Sequence, residues 1–379
     1  MTLCVGAACV HGKQDVTQNM TEQDSTIEDQ MTTLTSPVEV TASTAGSDIT
    51  SSSSLRAGFY FKCAVIFIGV VGTAANALIL YAMVVSKQHK KCVLVFNQNA
   101  LDLYSCFTLV ITYIVKLCNI HLSGTLGYYL CVIVLSECLL WAGLTGSVVN
   151  LAAVTVERYL KVVHATWSRN KLRKWMMYSA AAFSWIGGFA YGLAIDFATT
   201  IVIDGVCYAM AVWKSPVAKL AHVIWNFASF YVGNLLLFIF CYCRILVVVR
   251  RQARVMAGHA AAGPSTSQTQ SNPIQTNIIK TMIFVSAFFA ISWMPMKFQF
   301  FLATFNNNVT YSEDAYYSVL FIAFLYICAN PFIYAIKFDP VKSVLLGLIP
   351  CKKNTVEPVA SVPVATPGVA AIRAVQTRN

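Results

Sequence analysis

Charge is what this chain has least of: Asp, Glu, Lys and Arg make up 11% of its 379 residues, against 57% apolar ones. A soluble domain carries about 25% charged residues, so the shortage excludes an ordinary water-soluble fold. No HExxH, no GxSxG and no glycine-rich phosphate loop occurs, which leaves no motif for a zinc hydrolase, a serine hydrolase or a nucleotide-using enzyme. The thirteen cysteines contain no CxxC pair at metal spacing; most lie inside apolar runs, where thiols act as small buried hydrophobes. The net charge of +11 does not gather into the stripe that nucleic acid requires. The two halves of the chain do not repeat each other, which speaks against a transporter with paired repeats.

What is present is apolar length. Seven runs reach the roughly 20 residues needed to span a bilayer, at 58–85, 93–117, 127–162, 173–196, 218–249, 275–303 and 315–336. The third organises the rest. From Glu137 to Arg158 is 21 residues, about 31 Å of continuous helix, so two ionisable groups sit near opposite faces of one span. Lys and Arg set the orientation: Lys87, Lys90 and Lys91 lie in the first loop, Arg169, Lys171, Arg173 and Lys174 in the third, and Arg250, Arg251 and Arg254 in the fifth, whereas the second and sixth have none. Odd loops are therefore expected inside the cell, with the N-terminus outside and the protein in the plasma membrane.

Residues 1–55 form a Ser/Thr-rich, acidic tail with too little apolar surface to fold alone, and no cleavable signal peptide is read at its start. Sequons at Asn19 and Asn308 fall on the expected outer side. Residues 56–337 make the seven-span domain. Residues 338–379 hold a short amphipathic helix expected to lie on the membrane, with Cys351 as a palmitoylation candidate, and then a Val/Ala/Pro-rich tail. The fold class is all-α: a seven-transmembrane bundle with a short eighth helix.

One motif stands in each span. Asn76 lies in GTAAN of the first and Asp102 in NQNALDL of the second; Glu157-Arg158-Tyr159 ends the third and Trp185 sits in the fourth. Tyr242 is near the end of the fifth, Ser292-Trp293-Met294-Pro295 in the sixth and Asn330-Pro331-Phe332-Ile333-Tyr334 in the seventh. In this order they closely resemble the rhodopsin-like (class A) family of G-protein-coupled receptors, over about residues 58–351.

The resemblance implies a receptor, not an enzyme, that opens its inner face to a heterotrimeric G protein, with arrestin as a further partner. It implies that Glu157 and Arg158 pair at rest, that Tyr242 and Tyr334 turn inward on activation, and that Trp293 floors the pocket; Pro295 removes a backbone donor and bends the sixth helix. Asp102, Asn76, Ser147 and Asn330 match a polar cluster that holds Na⁺, a hard cation suited to oxygen ligands; no other cofactor is implied. It also implies a Cys131–Cys207 disulfide, yet Cys131 lies two residues farther from Arg158 than usual. Either the helix bulges there or Cys138 competes.

Other departures are Asn234 where the family has Pro, and Gln275 where many members carry an acid that locks the Arg. The outer pocket is expected to draw on Glu137, Trp141, His222, Asn226, Lys297 and Gln299. Lys297 is read either as a grip on a charged ligand or as the ion-pair partner of Glu137. No Asp stands on the third span for an amine and no Lys in mid-seventh span for retinal. An acidic tail and rim (Asp196, Asp204, Glu313, Asp314) would steer a basic peptide, which favours a neuropeptide-like receptor. The alternatives are a small-molecule receptor, a constitutively signalling one and, least favoured, a transporter.

Overall fold

In the computed structural model, residues 47–260, 273–305, 312–337 and 339–348 are described. The chain divides into two units, Met1–Tyr60 and Phe61–Asn379. Of the first, residues 47–60 are described as the opening turns of the helix Ser47–Val85. The second contains the bundle. Asn19, Asn308 and Cys351 lie outside the described residues, so the glycosylation and lipidation expectations do too.

Seven helical stretches are long and apolar enough to cross a membrane: Arg56–Val85, Val93–Leu117, Gly124–Val163, Lys174–Thr199, Pro216–Val255, Ile279–Phe305 and Asp314–Lys337. Their ends fall within a few residues of the sequence reading. Phe67, Phe183, Ile186, Leu236 and Ile291 point outward and are more than half exposed. On a water-soluble protein such a surface would be a liability; a lipid environment accounts for it. A helix at Asp339–Gly347 follows the seventh span.

The third span is the axis, packed against the second, fourth and fifth. Its contact with the fourth is made by glycines. A Cβ on Gly146 would lie 2.8 Å from the Ser184 carbonyl, and one on Gly188 would run into the Ala142 carbonyl. Small residues let backbones approach where lipid supplies no hydrophobic drive between helices.

Two irregularities break the helical register. The third span is not the continuous helix that its length suggested. A π-helical turn occupies Cys131–Leu135, Glu137 follows in the left-handed region at φ 67°, and the regular helix starts at Cys138. Ser136 stitches the break: its hydroxyl donates to the Val132 carbonyl and accepts from the Cys138 N–H. The fifth span carries a second π segment at Phe227–Gly233. There Asn234 Nδ2 donates to the carbonyls of Ser229 and Phe230 at 3.0 and 2.9 Å, so an amide side chain supports the wide turn at the position where Pro was expected.

Between the fourth and fifth spans lies a two-stranded antiparallel hairpin, β1 (Ile201–Ile203) and β2 (Val206–Tyr208). Its turn is Asp204-Gly205, both at positive φ, the dipeptide and backbone of a tight type I′ connection. Cys207 in β2 is bonded to Cys131, while Cys138 is a free, buried thiol. The two extra residues before Arg158 are thus taken up by the break in the helix.

Candidate functional site: a polar column through the bundle

At the hairpin end, Lys297 of the sixth span is 7% exposed. Its ammonium donates to Asn226 Oδ1 at 2.8 Å and lies 4.1 Å from the Phe230 ring centroid, 5.3 Å from Trp293 and 6.0 Å from Trp141. Asn226 Nδ2 in turn donates to the Tyr191 hydroxyl, which stands 3.5 Å from His222 Nδ1. Among the described residues Lys297 forms no salt bridge. The Lys297–Glu137 pair is therefore a correction: Glu137 Oε1 is held by Lys116 of the second span. The left-handed turn at Glu137 directs its carboxylate to the second helix instead of the sixth. Gln299 Oε1 is buried without a partner. Asp196 is also buried, so the proposed acidic rim reduces, among residues with described side chains, to the exposed Asp204 and Asp314.

Trp293 is fully buried one turn below Lys297, within 6.5 Å of the rings of Trp141, Phe230, Phe289 and Tyr326. Its indole N–H has no hydrogen-bond partner. Pro295 lies inside the sixth-span helix and Pro331 inside the seventh.

Below the aromatic floor sits Asp102, wholly buried. Its Oδ1 accepts from Ser147 Oγ at 2.7 Å and from Gln98 Nε2 at 3.4 Å, and its Oδ2 accepts from Asn330 Nδ2 at 2.9 Å. Asn76 does not reach it; its amide donates to the carbonyls of Gly72 and Ile327. Of the four residues expected to gather a cation, Asp102, Ser147 and Asn330 come together, and Asn330 presents N–H there, not oxygen. Gln98, unforeseen from the sequence, completes the cluster. It continues through Asn150 to Asn97 and Trp185 of the fourth span.

At the other end Glu157 and Arg158 are buried, their side-chain atoms 3.6 Å apart, and Lys161 shares the Glu157 carboxylate. Among the described residues Arg158 Nε and Nη2 have no hydrogen-bond partner. Tyr159 lies edge-on to His164 and tilted against Phe240. The Tyr242 hydroxyl lies 3.1 Å from both Thr155 of the third span and Ser286 of the sixth. The structure thus brings Tyr242 between these two helices, while the buried Tyr334 hydroxyl has no hydrogen-bond partner among the described residues. Thr155 and Ser286 carried no motif to announce them.

The family model for the seven-transmembrane receptors of the rhodopsin family matches residues 75–334. Among curated proteins, the chain is 27% identical over 196 residues to the substance-K receptor of Canis lupus familiaris, covering 50% of this chain and 49% of that one. It is 27% identical over 203 residues to somatostatin receptor type 3 of Mus musculus, covering 50% and 45%. Over a longer stretch of 284 residues it is 27% identical to somatostatin receptor type 5 of Rattus norvegicus, 71% of this chain and 72% of the relative. The chain spans about half the length of the first two relatives. With the seven spans, the ordered motifs and this match over most of its length, the chain belongs to the rhodopsin family of seven-transmembrane receptors.

Proposed function

We propose that this protein is a peptide-activated receptor of the plasma membrane, with the hairpin end outside and the Arg158 end facing a heterotrimeric G protein. The lysines and arginines of the first, third and fifth loops support that orientation, and receptors for substance K and somatostatin among the relatives support a peptide. The carrying observation is Arg158: a buried guanidinium held by a carboxylate of its own helix, with two nitrogens unsatisfied. An unsatisfied buried charge is expensive, so the group is poised to exchange partners when the sixth helix moves and a cavity opens.

At the outer end the chemistry selects a ligand. Lys297 is a buried cation lying among aromatic faces and one amide oxygen, with no carboxylate. We infer that it receives an anionic or strongly accepting group of the peptide, such as a carboxylate, while Trp141 and Phe230 cover its apolar neighbour. A basic residue elsewhere on the same peptide can still meet Asp204 and Asp314. Signalling without agonist is the second reading. It is favoured because, among the described residues, no acid on the sixth helix holds Arg158.

The test is G-protein activation in transfected cells exposed to a peptide library. A peptide response lost in Arg158→Ala at unchanged surface expression is the expected outcome. Full signalling by Arg158→Ala would remove the coupling role. Agonist-independent activity alone, lost in the variant, would establish the constitutive reading.

A further inference from the structure

Gln98 lies within the cluster where the family resemblance places a sodium ion. Its side chain is fully buried and uses both ends. The Oε1 accepts from Asn150 Nδ2 at 2.8 Å, and Asn150 is itself anchored on the Leu94 carbonyl. With the oxygen so occupied, the amide nitrogen is directed at Ser147 Oγ, 2.5 Å away, and at Asp102 Oδ1. The Ser147 hydroxyl donates a hydrogen bond to the same carboxylate oxygen, and Asn330 donates to the other.

Sodium requires several oxygen lone pairs converging on one point. Here the groups around Asp102 converge N–H and O–H donors instead. The hydroxyl oxygen of Ser147, the one neutral oxygen hydrogen-bonded to the carboxylate, is engaged by Gln98. Asn76, whose Oδ1 is unpartnered, makes no contact with Asp102. Tyr326 is fully buried against Trp293 and Phe289; its hydroxyl and Asn330 Oδ1 are buried oxygens without a hydrogen-bond partner among the described residues, and neither is hydrogen-bonded to the carboxylate. The residues present do not form an ion-binding oxygen cage.

We propose that the Gln98 amide is a tethered substitute for the cation: it occupies Ser147 and hydrogen-bonds to Asp102 from within the cluster, and so keeps sodium out. A diffusible ion dissociates when the bundle rearranges and makes the resting state depend on sodium concentration. An amide attached to the second helix cannot leave. The resting state of this receptor is therefore independent of sodium at this site.

The experiment needs no agonist. Purified receptor is heated in sodium chloride and in choline chloride at equal ionic strength, as wild type, Gln98→Leu and Gln98→Ala; the smaller residue serves if Leu impairs folding. Wild type is expected to melt within about 1 °C in the two salts. A variant that frees Ser147 and Asp102 is expected to gain about 3 °C or more in sodium alone, a gain abolished by adding Asp102→Asn. Sodium stabilisation of the wild type that Asp102→Asn removes would overturn the proposal, because the ion would then enter despite Gln98. Indifference to sodium in every variant would overturn it equally, since Gln98 would not be what excludes the ion.

Discussion

At the scale of single residues, Lys297 carries the most specific consequence. Its cation–π contacts each stabilise by about 0.5–2 kcal/mol, against an effective desolvation cost of several kcal/mol per buried ion. Replacing the ammonium with an isosteric apolar group should therefore help the free receptor and harm the liganded one. Lys297→Met is expected to raise the thermal midpoint of purified, ligand-free protein by a few degrees while weakening the response to a peptide found in the screen at least tenfold. A lower midpoint would show that Lys297 already has its counter-charge. Lys297 was visible in the sequence as an expensive residue in a span, but its partner was not. The partner depended on where Glu137 points, and that was decided by a left-handed residue that hydrophobic periodicity does not register. Gln98 escaped notice for a related reason: one amide in a helical run looks like any polar residue until Ser147 and Asn150 of another helix are beside it.

Between elements, register decides which side chains meet. One extra residue in a helix turns everything beyond it by about 100°. The π segment at Phe227–Gly233 lies between Asn226, which holds Lys297, and Tyr242, which reaches Thr155 and Ser286. Removing it would bring one of these two residues out of phase. Asn234→Ala deletes the two side-chain bonds to Ser229 and Phe230, and at about 1 kcal/mol per bond it should lower stability by roughly 1–2 kcal/mol in thermal melts. If the wide turn reverts to α-helix, Lys297-dependent ligand recognition should also fall. A change in stability with recognition intact would show that the backbone holds the turn without Asn234. The helices themselves were legible because a twenty-residue apolar run has few other uses. The break near Cys131 was foreshadowed by the two-residue excess before Arg158, and the wide fifth-span turn by nothing except the missing Pro. The hairpin had a clear signal that went unread, Asp204-Gly205 flanked by Ile201-Val202-Ile203 and Val206-Cys207.

For the whole molecule, the activation proposed above depends on what joins the sixth helix to the rest near Arg158. Tyr242 hydrogen-bonds to Thr155 and Ser286 together, tying the third, fifth and sixth helices through neutral groups. Ser286→Ala removes the sixth helix from that tie. The expected result is basal G-protein activation raised severalfold at equal surface expression; unchanged basal activity would mean that the tie does not restrain the helix. Topology and motif order were legible from the chain because both are properties of one sequence read in one direction. The polar column was not, because most of its bonds join residues dozens of positions apart, as Asn330 and Asp102 do across the second and seventh spans.

The interruption at Glu137 gives the third helix a mechanical character. An unbroken helix is a stiff shaft that transmits both thrust and torque. Here the shaft has a joint: a wide turn at Cys131–Leu135, a left-handed residue, then a fresh helix from Cys138. The hairpin is bolted to the first residue of the joint by the Cys131–Cys207 bond, while Trp141, Ser147 and Arg158 all lie below it. The turn tied to the hairpin is therefore not continuous with the regular helix that carries Trp141, Ser147 and Arg158. If the protein works as the receptor proposed above, a displacement of the hairpin is expected to reach the Arg158 end of the shaft through this joint instead of along an unbroken helix.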